Sequence, residues 1–199
     1  MKSKAKSRGV RHVVVVSGTP GTGKTTIAKK LATDLQGGYL SPFQLTKSGE
    51  LSLGFDRKRQ TEVIDVGKMR ARLDDLLGER SGITIVDTHV ADIVPKVLVS
   101  SVIVLRCHPR VLELRLRKKG WRAQKVKENV MAEILDSCYI EALNYYGVRK
   151  VVQLDTSKVS VRKCVDLAKR ILLKQRSGHR TINWISTLDR ERTMDRYLV

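Results

Sequence analysis

The sequence predicts an α/β chain whose parallel sheet is covered by helices on both faces, and three observations lead there. Short β-branched runs alternate with longer segments of helical apolar spacing from Val13 to Leu172. The first strand-to-helix turn is Gly18-Thr19-Pro20-Gly21-Thr22-Gly23-Lys24-Thr25, which meets every fixed position of the phosphate-loop pattern G-x-x-x-x-G-K-[ST]. A later strand closes on Asp87, the residue type that such a loop needs beside it. A sheet of this kind carries its site at the carboxyl ends of the strands.

The elements follow in order. Val13 to Ser17 is β-branched and too short for a helix, and Thr25 to Leu35 sets Ile27, Leu31 and Leu35 on one helical face. Gly37-Gly38 ends that turn, and Tyr39-Leu40 is a short second strand. Ser41 to Gln60, with Pro42, Gly49 and Gly54, reads as loop. Val66 to Leu77 is an amphipathic helix through Met69, Leu73, Leu76 and Leu77, closed by Gly78. Ile83 to Val86 and Val102 to Leu105 are strands, the first ending at Asp87-Thr88-His89 and the second at Arg106. Pro109 opens a short helix that stops at Gly120. One long helix is expected from Ala123 to Tyr146, because Val126, Val130, Ile134, Leu135, Cys138, Ala142 and Leu143 form a continuous stripe. Val151 to Leu154 is the last strand, and Val161 to Leu172 the closing helix.

The loop's residue types follow from its chemistry. A triphosphate must be held closely by backbone N–H groups, which side chains at Gly18, Gly21 and Gly23 would obstruct, and glycine permits the positive φ of the turn. Lys24 would reach the β- and γ-phosphates, the Thr25 hydroxyl would ligate Mg²⁺, and the following helix points its positive end at the anion. Gly18, Pro20, Gly21, Thr22, Gly23, Lys24, Thr25 and Thr26 are therefore the expected nucleotide contacts. The architecture expected is that of a P-loop NTPase. Asp87 would hold the Mg²⁺ that Thr25 touches, and His89, two residues on, reads either as a group orienting a water or a phosphate oxygen or as a plain loop histidine.

At 199 residues with 41% hydrophobic content, the chain can bury one full core, and a monomer is the expected state. Residues 1–12 carry Lys2, Lys4, Lys6, Arg8 and Arg11 with no acid and read as a disordered basic arm. Residues 13–173 form the P-loop kinase-like domain, with 41–78 as its monophosphate side and 106–127 as its lid. Residues 174–199 form a basic extension whose Ile182, Trp184, Ile185, Leu188 and Tyr197 suggest a short helix or docked segment. No stretch has the apolar length of a membrane span, and the expected location is the cytosol, or the nucleus as well in a eukaryote. Cys107, Cys138 and Cys164 show no pairing pattern and read as core thiols, though Cys107 lies among basic residues that could lower its pKa.

Lys and Arg number 39 against 20 Asp and Glu, a formal charge of +19. That excess points to a large polyanion such as RNA, or to a solvated surface of the kind seen in some heat-adapted proteins. From Arg106 to Lys127 nine residues are basic (Arg106, Arg110, Arg115, Arg117, Lys118, Lys119, Arg122, Lys125, Lys127), and Glu113 is the lone acid. Some of them should close over the transferred phosphate as a short lid, the remainder being an RNA footprint or solvated helix surface.

Other P-loop classes lack their marks here. No N-K-x-D is present for a guanine base, and the D-x-x-G match from Asp75 to Gly78 ends a helix instead of following a strand. A kinase of a small hydroxyl compound would want a carboxylate base after the second strand, where Ser41-Pro42-Phe43-Gln44 offers none. A nucleoside monophosphate needs no such base, since its accepting phosphate is already an anion.

Together these residues resemble the small adenylate-kinase-like ATPases of ribosome maturation, called adenylate kinase isoenzyme six in eukaryotes, with archaeal relatives. The resemblance spans roughly Val13 to Leu172 and rests on Gly18 to Thr26, on Val86-Asp87-Thr88-His89 as a D-x-H motif, on Val104-Leu105-Arg106 with Leu116 to Trp121, and on Glu128-Asn129-Val130 and Ala132-Glu133-Ile134. It implies a nucleoside-monophosphate-kinase-like fold, weak and broad adenylate kinase activity, ATP hydrolysis, and binding to a small-subunit ribosomal protein during rRNA maturation. It implies Lys24 and Thr25 on the phosphates and Mg²⁺, Asp87 on the metal, His89 in hydrolysis, and Arg115 near the lid phosphates. The chain departs from the pattern at Asp56-Arg57-Lys58-Arg59-Gln60, where relatives are acidic, and at Lys119, where an arginine is common. Two other readings stay open: an RNA- or ribosomal-protein-binding assembly factor that uses ATP as a switch, and a small-molecule kinase.

Overall fold

The structure, a computed structural model, describes residues 11–48, 51–56, 61–173 and 181–197. In chain order it runs through β1 (Arg11–Gly18), α1 (Lys24–Asp34), β2 (Gly38–Leu40), β3 (Ser52–Asp56), β4 (Thr61–Ile64), α2 (Val66–Gly78) and β5 (Gly82–Asp87). It continues through β6 (Val99–Arg106), α3 (Pro109–Lys118), α4 (Ala123–Ile134), α5 (Ser137–Tyr146), β7 (Val151–Asp155), α6 (Val161–Leu172) and α7 (Trp184–Arg190). Five strands pair in parallel in the order β2-β5-β1-β6-β7, the α/β arrangement expected.

Alternate side chains of a strand leave on opposite faces, and β1 uses both. Val13 and Val15 join Met69, Leu73 and Leu77 of α2 and Ala142 and Tyr146 of α5. Val14 and Val16 meet Ile27 and Leu31 of α1 and Cys164, Val165 and Ala168 of α6. All four valines are buried, each burial worth about 1.5–3 kcal/mol. This sandwiching fixes β1 between β5 and β6 in a register that pairs Val16 with Asp87 and Gly18 with Leu105. The turn after Gly18 therefore opens beside Asp87.

A third core lies at the carboxyl ends of the strands, where Cys107, Leu112, Leu116, Val126, Val130 and Ile134 receive Leu188 of α7. The described part of the C-terminal extension is thus docked, and Trp184 and Leu188 are buried.

Three expectations need correction. The first strand begins at Arg11, so Arg11 and His12 belong to the sheet and not to the arm; Arg11 Nη2 donates to the Gly78 carbonyl at 2.9 Å. The rest of the arm, residues 1–10, lies outside the described residues, as do Arg57 to Gln60.

The loop expected from Ser41 to Gln60 contains a short 3₁₀ segment, Pro42–Ser48, and leads into an antiparallel β3–β4 ribbon apart from the main sheet. Leu53 and Val63 of this ribbon are exposed, so no buried apolar face marks it in the sequence.

The helix expected from Ala123 to Tyr146 is broken into α4 and α5. Asp136 adopts a left-handed conformation, φ +57, between them. Arg106 Nη2 donates to the Glu133 carbonyl at 3.0 Å and also bonds the Asp136 carboxylate. In a continuous helix that carbonyl would serve the Ser137 amide; the arginine takes it, and the chain turns.

Candidate active site

The loop is held open by its own backbone. At Gly18, φ +136, a Cβ would stand 2.3 Å from the Leu105 carbonyl oxygen, so the close passage of β6 demands glycine before any ligand does. Gly23, φ +101, caps α1 without a side chain and leaves the first N–H groups of that helix facing the loop. Thr22 closes the turn, its amide and hydroxyl donating to the Thr19 carbonyl at 3.2 and 2.8 Å. Pro20 is half-buried at the crest, and Thr26 is exposed in the first turn of α1.

Lys24 Nζ lies inside this cradle and donates to the Gly18 and Thr19 carbonyls at 2.7 and 3.2 Å. Burial lowers its pKa, and the charge of Lys119 adds to that, while Cys138, Asp87 and Glu133 act against it. An anion entering the cradle would relieve that electrostatic cost.

Thr25 and Asp87, expected to share a metal, are in contact: the Thr25 hydroxyl donates to Asp87 Oδ2 at 2.6 Å. The phenol of Tyr39, in the middle of β2, donates to the same oxygen at 3.1 Å. Burial, then the Asp87 charge, pushes that phenol up to about 12, so it remains a donor across the physiological range. A hydroxyl and a buried carboxylate side by side at the lip of a phosphate cradle are hard oxygen donors of the kind Mg²⁺ prefers, and the residues fit that ion. Among the described residues no cluster of three or more His, Cys, Asp or Glu could hold a metal alone.

His89 stands beyond Asp87 with its ring stacked on Phe43, centroids 4.7 Å apart and planes 13° apart. Desolvation and then the charge of Lys24 lower its pKa, Asp87 opposing, so the neutral imidazole is favoured. It lines, with Thr19, Pro20, Trp121, Lys125 and Asn129, a cleft of about 1020 Å³.

The basic run from 106 to 127 divides by role. Arg106 is no lid residue: it is buried, with Nε on Glu133 Oε1 at 2.8 Å and Nη1 on Gln153 at 2.5 Å. Arg115 donates to the Thr156 carbonyl at 2.7 Å, and the Thr156 hydroxyl donates to Thr22 O at 2.9 Å. Arg117 is paired with Glu113 at 2.8 Å. Arg110, Lys118, Lys119, Arg122 and Lys125 are exposed on α3, α4 and their link, and Lys125 sits 5.0 Å from the centroid of Trp121. The basic neighbourhood does not activate Cys107 either, since its burial pushes the thiol up to about 11.

Sequence reasoning missed three contributors: Tyr39, Thr156 and the carboxylate of Glu133. Tyr39 lies on the strand next to the Asp87 strand, which is a usable signal. Thr156 follows β7 with nothing to mark it. Glu133 falls within the matched Ala132-Glu133-Ile134, one position from the apolar stripe of α4, with no role assigned to its carboxylate; it is 1% exposed and Oε2 accepts the Thr19 hydroxyl at 2.5 Å.

The AAA domain family matches residues 14–136. A protein of Methanocaldococcus jannaschii described as "Putative adenylate kinase" is 32% identical over 171 residues, 86% of this chain and 92% of its own length. One of the same description from Saccharolobus solfataricus is 34% identical over 173 residues, 87% of each chain. The adenylate kinase isoenzyme 6 homolog FAP7 of Saccharomyces cerevisiae is 34% identical over 144 residues, 72% of each. Among solved structures, shikimate kinase from Bacteroides thetaiotaomicron superposes with a TM-score of 0.55 at 17% identity, covering 81% of this chain and 98% of that one. The YorR protein of Bacillus subtilis, in complex with phosphorylated GDP, gives 0.54 at 19% identity, covering 84% and 99%. Both show a shared fold.

Proposed function

The chain belongs to the adenylate kinase isoenzyme 6 family of nucleoside monophosphate kinases, and we propose that it moves the terminal phosphoryl group of Mg-ATP onto AMP, with water as a secondary acceptor. The observation that carries this reading is the contact of Thr25 with Asp87 at the lip of a cradle that contains Lys24 and adjoins the cleft of Trp121, Lys125 and Asn129.

When bound, Mg-ATP supplies the transferable phosphoryl group and a cation to spread its charge. The backbone N–H groups of Gly21, Gly23, Lys24 and Thr25 and the Lys24 ammonium would bind phosphate oxygens, and Asp87 and Thr25 would hold the cation. Tyr39 steadies the Asp87 carboxylate. The exposed cations Lys119, Arg122 and Lys125 draw in the acceptor phosphate, and no general base is required because that phosphate arrives ionised. His89, neutral and braced on Phe43, would orient a water when the acceptor is missing. A Lys24→Ala chain that kept full turnover would overturn this account.

The wider setting we propose is small-subunit and rRNA maturation, in the cytosol and, in a eukaryote, the nucleus, with a ribosomal protein and rRNA as partners. The resemblance of the D-x-H and lid motifs supports it, as does a formal charge of +19 that exceeds what a nucleotide pocket needs. A switch-like role for ATP in such an assembly is the second reading, favoured by the basic residues exposed along α3 and α4. It predicts RNA binding that weakens steeply with salt; binding indifferent to salt would count against it. No helix among the described residues is long and apolar enough to cross a membrane.

A further inference from the structure

Glu133 accepts hydrogen bonds from four separate residues of the chain. Its Oε1 accepts Arg106 Nε at 2.8 Å, the Cys107 amide at 3.0 Å and the indole N–H of Trp184 at 2.9 Å. Its Oε2 accepts the Thr19 hydroxyl at 2.5 Å. The four donors come from the end of β6, the chain just after it, the C-terminal helix and the phosphate loop. Neither transfer to AMP nor transfer to water uses this carboxylate directly.

We infer that Glu133 is a positioning residue that couples docking of the C-terminal helix α7 to the conformation of the phosphate loop, with Trp184 and Thr19 as the two ends of the linkage. The inference rests on the nucleotide-binding reading of that loop. Thr19 is the loop residue whose carbonyl takes Lys24 Nζ and both Thr22 donors, so fixing its side chain fixes the carbonyl that shapes the cradle. Glu133 can hold that hydroxyl only while its own orientation is set. Arg106 Nε, the Cys107 amide and the Trp184 indole all donate to Oε1 and together set the orientation that presents Oε2 to Thr19. The indole is well held: it is buried, its ring meets His108 edge-on at 5.4 Å, and the Arg106 guanidinium carbon lies 5.8 Å from its centroid. Asn183 caps the helix behind it, its side chain accepting the Ser186 amide at 2.9 Å.

Because the residues between β6 and α5 already complete the ion pair, the contribution of Trp184 arrives from a segment outside the kinase core. Tightness of the cradle thus depends on whether α7 is seated. A partner that lifted α7 would loosen nucleotide binding without touching the loop.

The test is a double-mutant cycle on the full chain, read as the dissociation constant of Mg-ATP. Trp184→Phe keeps an aromatic ring and removes the N–H donor, and the loss of one hydrogen bond to a charged group should weaken binding by about threefold to tenfold. In a Thr19→Val background the same Trp184→Phe change should have no further effect within about twofold, because the linkage is already cut. Asn183→Ala, which touches neither Glu133 nor the loop but loosens α7, should weaken binding in the same direction by about twofold. Wild-type affinity in Trp184→Phe, or an equal loss in the presence and absence of the Thr19 hydroxyl, would overturn the linkage. If the unsubstituted chain bound no ATP, the nucleotide reading itself would fail, which is a different result.

Discussion

The guanidinium of Arg106 and the carboxylate of Glu133 meet at 2.8 Å with side chains 1% and 2% exposed. They are an ion pair sealed inside the molecule beneath the phosphate loop. Removing one partner of such a pair leaves the other charge buried and uncompensated, which costs far more than the pair contributes when intact.

Arg106→Leu is therefore expected to lower unfolding stability by about 3–5 kcal/mol, the cost of stranding a buried carboxylate. A urea melt checks it: the midpoint should fall with an unchanged slope. A drop under about 1 kcal/mol would mean that the Cys107 amide, Trp184 and Thr19 satisfy the Glu133 carboxylate without the arginine.

Thr25→Ala removes the hydroxyl that touches Asp87 and leaves a small side chain of good helix propensity. We expect turnover to fall by roughly ten- to a hundredfold and the Mg²⁺ concentration for half-maximal rate to rise, as expected when one ligand of a catalytic cation is lost. Titration of Mg²⁺ at saturating nucleotide measures both. Unchanged Mg²⁺ dependence would remove Thr25 from the metal site.

The legibility of this site in the sequence was uneven for physical reasons. Lys24, Thr25 and Asp87 could be read because their roles depend on local grammar: a glycine loop between strand and helix, and an acid ending an apolar strand. Their contact in space follows from the sheet order alone. Arg106 was misplaced because a run of cations along the chain says nothing about which side chains turn inward. Arg106 turns in because β6 ends beneath α4, where Glu133, Asp136 and Gln153 wait from distant segments. The same contact breaks the helix at Asp136, a long-range cause that no apolar stripe could reveal. Trp184 read as a docked residue, but its partner could not be named without the fold.

His89 distinguishes the two acceptors. His89→Asn should lower phosphate release in the absence of AMP by about tenfold, the scale of losing a group that orients the nucleophile, while transfer to AMP changes by less than about threefold. Equal losses in both assays would give His89 a role common to the two reactions.

Asp34 offers a pH test away from the site. Hydrogen bonds from Lys30 and Lys169 hold its carboxyl below the usual carboxylate range, tying α1 to α6. A carboxyl depressed in the folded state stabilises it above the unfolded pKa, and that contribution disappears as pH falls through the folded value. Asp34→Asn should thus unfold at lower urea than the parent near neutral pH, with the difference shrinking as acid takes the solution below the range in which an unperturbed aspartate titrates. A difference that grew in acid would have the wrong sign.

The central claim, phosphoryl transfer between nucleotides on this cradle, is tested most directly by counting products. Purified protein is incubated with Mg-ATP, with and without AMP, beside a Lys24→Ala control, and ATP, ADP, AMP and inorganic phosphate are quantified chromatographically. We predict two ADP formed for each AMP consumed, with little free phosphate and no turnover in the control. Phosphate release that ignores AMP would contradict the kinase account and leave an ATPase whose acceptor is water.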